Sequence, residues 1–167
     1  MATQIVANLK SPDILGVQEI QDNNGAADSG VVDASLTWNA LIAAIQAAGG
    51  PLYSYRQIDP VNNQDGGAPG ANIRVGFLFR PDRVSFVDRP GGAATVATAV
   101  VNTPAGPQLL YSPGRLDPTN PAFSDSRKPL AGEFLFGNQR LFVVANHLNS
   151  KGGDTPLFGK VQPPVLS

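Results

Sequence analysis

Apolar residues recur along this chain in two periods, and turn residues separate the segments that carry them. Asp13-Ile14-Leu15-Gly16-Val17-Gln18-Glu19-Ile20 is a short apolar run with Asp22-Asn23-Asn24-Gly25 behind it, which predicts a strand bearing a carboxylate near its C-terminal end. From Ser35 onward Trp38, Leu41, Ile42 and Ile45 return at helical spacing, Asp33 or Ser35 is placed to cap, and Gly49-Gly50-Pro51 stops the element. A helix of three to four turns is expected. Leu52 to Ile58 reads as a strand, Asp59 to Gly70 as an Asn, Asp and Gly-rich loop, and Ile73 to Phe79 as a more buried strand. Arg80-Pro81-Asp82-Arg83 makes a turn before Val84 to Val87. Pro90 to Asp125 interleaves short apolar pieces with Pro and Gly, the pattern of an edge strand and irregular loop. Leu130 to Phe136 and Arg140 to His147 predict a hairpin around Gly137-Asn138. Ile5 to Leu9 reads as the last turns of a helix. No repeat is visible.

Composition narrows the field. A length of 167 residues suits one domain. With 12 basic and 13 acidic residues the chain is lightly charged and close to neutral, which argues against nucleic acid held by a broad basic surface and makes any such contact local. The absence of cysteine removes disulfides, thiol catalysis, zinc-finger ligation and iron–sulfur clusters together. No apolar run reaches the ~18 residues of a membrane span, and Met1 to Lys10 carries no secretory signal pattern.

Few local motifs carry chemistry by themselves. There is no G-x-x-x-x-G-K-[ST] loop, no G-x-S-x-G elbow and no G-x-G-x-x-G after a strand. Asp59 to Gly66 and Asp22 to Gly25 are rejected as EF-hands, because counting back from either glycine puts Val61 or Ile20 at the first ligand position. Glu19 at a strand end suits a hard divalent ion, although a lone strand-end carboxylate is ordinarily just surface. His147 is the single histidine, and a lone histidine is ordinarily a packed structural residue. Ser126-Arg127-Lys128-Pro129 can set a guanidinium on a phosphate. A Ser–His–Asp triad from Ser150, His147 and Asp154 is disfavoured, since triads are not assembled from sequence neighbours.

Taken in order, Gln18-Glu19, Asn72-Ile73-Arg74-Val75-Gly76-Phe77-Leu78-Phe79-Arg80-Pro81, Ser126-Arg127-Lys128-Pro129 and Asn146-His147-Leu148-Asn149-Ser150-Lys151-Gly152-Gly153-Asp154 resemble the endonuclease/exonuclease/phosphatase superfamily, the deoxyribonuclease I-like fold. Bacterial extracellular nuclease-like members are the nearest likeness, over about Pro12 to Pro164. The resemblance implies an α/β protein, a four-layer α/β/β/α sandwich that hydrolyses phosphodiester or phosphomonoester bonds with Mg²⁺, or Mn²⁺ or Ca²⁺ in its place. It implies that Glu19 binds the metal and that His147 contacts the scissile phosphate and stabilises its growing charge. It further implies that Arg127, Asn72, Arg74 and Asn149 contact substrate phosphate. Gln21 stands where the pancreatic enzyme carries an arginine that reaches DNA.

The superfamily also carries an Asn on its first strand, a Gly-Asp-x-Asn motif and a terminal Asp-His pair, which these 167 residues do not contain. Gly153-Asp154-Thr155-Pro156 lacks the Asn and follows His147 too closely to be that motif. Residues 1–167 are therefore expected to be a single partial domain, without the first strand and the C-terminal half, in which a mixed sheet carries at least one helix and the second sheet is largely missing. Such a piece is expected to expose apolar faces and open strand edges, and to be weakly active by itself. A metal-dependent nuclease is the leading reading, with nucleic acid as substrate and no protein partner signalled. A phosphatase or a phospholipid or inositol phosphodiesterase of the same fold is the second, and a non-catalytic binding module the third. Secretion is implied by the resemblance alone.

Overall fold

A computed structural model describes residues 1–148; Asn149 and the stretch to Ser167 lie outside the described residues. The chain is a mixed α/β protein, mostly antiparallel strands with few helices. After an N-terminal helical turn at Gln4–Asn8, β1 (Ile14–Ile20) leads to α1 (Ser35–Ala47), β2 (Ser54–Gln57) and β3 (Arg74–Phe79). These strands form a three-stranded sheet with β3 in the middle, flanked by β1 and β2. β4 (Ser85–Phe86), the hairpin of β5 (Val100–Thr103) and β6 (Gly106–Leu109), and β7 (Gly114–Arg115) follow. β8 (Leu130–Phe136) and β9 (Gln139–Ala145) close the described chain. β8 is the centre of a four-stranded sheet: β9 runs along one edge for its whole length, and β4 and β7 share the other.

Alternation along β3 sets the layers. Val75, Phe77 and Phe79 face the second sheet, where they join Leu130, Phe134 and Ala145 in one core. Leu78 faces the other way and joins Val17, Trp38, Ile42, Ile45 and Tyr53 in a second core under α1. Helix and four-stranded sheet thus cover opposite faces of the three-stranded sheet. Phe134 makes edge-to-face contacts with Phe77, Phe79 and Phe86 at centroid separations of 5.5, 5.8 and 4.9 Å, the geometry that ring quadrupoles favour. Trp38 stacks on Tyr55 and lies over Gly76, where any Cβ would overlap its ring.

Helix α1 ends as its sequence requires. Gly49 adopts φ +83°, its N–H donates to Gln46 O, and Gly50 N–H donates to Ile45 O at 2.9 Å, the paired bonds of a Schellman motif. Its start differs from expectation. Neither Asp33 nor Ser35 caps the backbone from the N-cap position, which Ala34 holds. Asn23 Oδ1 instead accepts from Leu36 N–H at 2.7 Å, and Asp33 orients that cap by accepting from Asn23 Nδ2 at 2.8 Å.

Two expectations about the sheets are revised. Every ladder between named strands is antiparallel rather than mixed, because hairpins and short returns join them. A second sheet is present, built from β8, β9 and two short strands. Residues 90–125 hold the β5–β6 hairpin, turning at Pro104-Ala105, with Pro107 in β6 opposite Asn102.

The buried carboxylate of Glu133 on β8 ties the four-stranded sheet to its surroundings, accepting from both terminal nitrogens of Arg89 and from Leu109 N–H at 2.8 Å, and forming an ion pair with Arg140 Nε at 3.2 Å. Glu133→Gln removes the charge that two guanidinium groups share, and is expected to cost about 3–5 kcal/mol in denaturant unfolding. Gly76→Ala is expected to cost about 1–3 kcal/mol by displacing Trp38. The fluorescence of this single tryptophan reports both.

Candidate functional site

The C-terminal end of β1 is irregular. Val17 pairs with Gly76 and Ile20 with Arg74, so β1 carries one residue more than β3 across this step. That is a β-bulge, a device that re-aims a side chain and raises local twist. Glu19 takes up the irregularity at φ +59°, a left-handed conformation that a residue with a Cβ adopts at a cost. Its side chain is 71% exposed.

His147 reaches the same place from the other sheet. It follows β9 by two residues, and Gln18 Nε2 donates to Asn146 O at 2.5 Å, fastening the end of β9 to the bulged end of β1. His147 Nε2 thereby lies 3.6 Å from Glu19 Oε1, with the imidazole 14% exposed. Its Nδ1 is buried and finds no hydrogen-bond partner among the described residues. Burial is the main force pushing the imidazole below its ordinary pKa; the positive charge of Arg127 adds to it and the negative charge of Glu19 opposes it. At neutral pH the ring is held mostly uncharged.

Arg127 and Lys128 part company. Lys128 Nζ turns inward to Asp65 at 3.2 Å and to the carbonyls of Gln64 and Ser126. Arg127 stays near His147 with its Nε buried and without a hydrogen-bond partner among the described residues. Arg56, Arg74, Arg80, Arg83, Arg89, Arg115 and Arg140 each pair with a carboxylate. Among the described residues Arg127 is the arginine without one.

Glu19, His147 and Arg127 therefore come together from three segments. Asn72 and Arg74 do not join them. Asn72 is 3% exposed, and its Nδ2 serves Asp22, Asn62 and the carbonyls of Val31 and Gly70. Arg74 is 1% exposed and its guanidinium is spent on Asp59, Val32 O and Asn72 O. Both side chains staple loops together rather than face a ligand. Asn149 lies outside the described residues. Sequence reasoning missed Gln18 as a tether, although its place beside Glu19 in a strand ending in turn residues was a usable signal.

The donor chemistry fits a hard divalent ion in one respect. Glu19 offers exposed carboxylate oxygens beside a largely neutral imidazole, and Mg²⁺ is often bound through one or two carboxylates plus phosphate and water. No cluster of three or more ligating side chains occurs among the described residues. No helix among the described residues is long and apolar enough to cross a membrane.

His147, the single histidine, is expected to titrate below the ordinary ~6.5 in an imidazole NMR titration. Glu19→Gln should lower that value further and Arg127→Ala raise it, the signs set by the charges removed. Because the folded pKa is depressed, the imidazole's contribution to stability is present above ~6.5 and is lost as pH falls through the depressed value. An imidazole titrating above 6.5, or shifts of opposite sign, would refute this geometry. Compared with protein-family models, curated proteins and solved structures, the chain matches none.

Proposed function

We propose that this chain is a metal-dependent phosphodiester hydrolase of the endonuclease/exonuclease/phosphatase type, acting on nucleic acid within a deoxyribonuclease I-like four-layer sandwich. The observation that carries the reading is the meeting of Glu19 and His147 at 3.6 Å across 128 positions of sequence, with the charge of Arg127, which has no carboxylate partner among the described residues, acting on His147. The layer order of helix, sheet and sheet agrees with such a sandwich.

The residues divide the work by their chemistry. Arg127 supplies a permanent positive charge in a partly buried place, where attraction for a phosphate is weakly screened. His147, uncharged at neutral pH, donates one ring N–H to a phosphoryl oxygen and strengthens that bond as negative charge accumulates there. Gln18 holds the backbone that carries His147 and thereby fixes its separation from Glu19. Glu19 would hold a Mg²⁺ or similar ion, which when bound supplies Lewis-acid neutralisation of the same phosphate.

A second reading, hydrolysis of a small phosphoester, is favoured by the pairing of the other seven arginines with carboxylates, which leaves little unpaired arginine charge among the described residues for a long polyanion.

The test is turnover of supercoiled plasmid and of bis(p-nitrophenyl) phosphate by the full chain, with Mg²⁺ or Mn²⁺. His147→Ala should lower kcat/KM by about a thousandfold or more and Arg127→Ala by about a hundredfold. Turnover by His147→Ala within tenfold of the parent sinks the assignment. Plasmid cleavage that falls steeply with salt supports nucleic acid, whereas salt-independent hydrolysis of the small diester alone supports the second reading.

A further inference from the structure

A cleft of about 530 Å³ opens between the end of β2 and the loops that carry Arg89, Ala93 and Pro113, within the ~300–1,000 Å³ usual for small-ligand sites. Nearly all of its polar side chains are already engaged. Asp88 gives both oxygens to Arg56 at 2.7 and 2.6 Å. Arg89 is held by Glu133 and Gln108, and Ser112 Oγ accepts from Glu133 N–H at 3.0 Å.

Asp59 is the exception. Trp38 Nε1 donates to Gln57 Oε1 at 2.6 Å, and Gln57 Nε2 donates in turn to Asp59 Oδ1 at 2.7 Å. Arg74 Nη1 donates to that same oxygen at 2.6 Å. Gln57 and the buried Arg74 thus hold the carboxylate through one oxygen, with the buried Trp38 fixing Gln57, while no hydrogen bond reaches Oδ2 among the described residues. The side chain is 46% exposed and lines the cleft with Ile58, Ala93 and Pro113. Its charge is balanced by Arg74, so a cation gains little net attraction; a neutral N–H donor on an apolar, flat body meets both the spare acceptor and the apolar walls.

We propose that this cleft is a subsite for an amino-bearing nucleobase, whose exocyclic N–H donates to Asp59 Oδ2 while the ring lies against the apolar wall. The choice of a nucleobase among amino-bearing heterocycles rests on the nucleic-acid reading above. Trp38 is a built-in probe, because the single tryptophan is joined to Asp59 through Gln57.

The experiment titrates the full chain with phosphate-free nucleosides, followed by calorimetry and by tryptophan emission. Cytidine and adenosine should bind saturably at up to about 10 mM, whereas 3-methyluridine, which has no base N–H, should bind at least tenfold more weakly. Asp59→Asn should weaken cytidine at least tenfold. Ala93→Phe fills the cleft from an exposed turn and leaves Asp59 and Arg74 untouched, so it should abolish cytidine binding with thermal unfolding unchanged. Equal binding of cytidine and 3-methyluridine, no saturable binding by either, or cytidine binding undisturbed by Ala93→Phe each overturns the subsite. Displacement of cytidine by n-butylamine also overturns it, since the carboxylate would then be reading charge. Loss of the subsite with His147-dependent diester hydrolysis intact condemns the subsite alone; cytidine binding without such hydrolysis condemns the phosphodiesterase reading alone.

Discussion

One carboxylate organises half of this molecule. Glu133 sits in the middle of β8 with no solvent exposure, and its oxygens gather Arg89, Arg140 and the backbone of Leu109, while its own N–H engages Ser112. The loop after β4, the end of the β5–β6 hairpin, the turn before β7 and strand β9 therefore share one anchor. Burying a charge is tolerable here because two guanidinium groups and an amide satisfy it. With that face of the sheet committed to polar contacts, the opposite face is left to Phe134 and its aromatic neighbours, and the two sheets pack through them.

The same division places the candidate site. The two sheets have no ladder in common, so they are joined by their packed faces and by single side-chain ties at the margin. Gln18 is such a tie, and it acts where β1 has gained a residue. A bulge re-aims the side chain it carries, and residue 19 meets a residue that follows β9.

What could be read from the sequence follows how local the cause is. Strand β1, helix α1, strand β3 and the β8–β9 hairpin lie within one or two residues of their expected bounds, because each has a complete apolar period and its own stop residues. The β5–β6 hairpin was hidden by Pro104 and Pro107, which argue against a strand but are accommodated in a turn and in a short two-stranded hairpin. The cap on α1 comes from Asn23, twelve residues before the helix begins, and no local pattern announces it. Asn72 and Arg74 show the same limit. Their residue types fit a phosphate, yet loops folding back over β3 supply acceptors enough to bury both. Glu19 and His147 stood out by resemblance to a family, and their proximity depends on sheet packing that no window of sequence contains.

The conformation of Glu19 bears on what substitution would do to this chain over time. A left-handed backbone is least costly for glycine and next for asparagine, so a drift toward greater stability would exchange the glutamate at this bulge before most other exposed residues. Position 19 is thus one where thermostability and charge compete directly. Variants selected only for heat resistance should lose this carboxylate early, and a lineage that keeps it is retaining strain that folding by itself does not require.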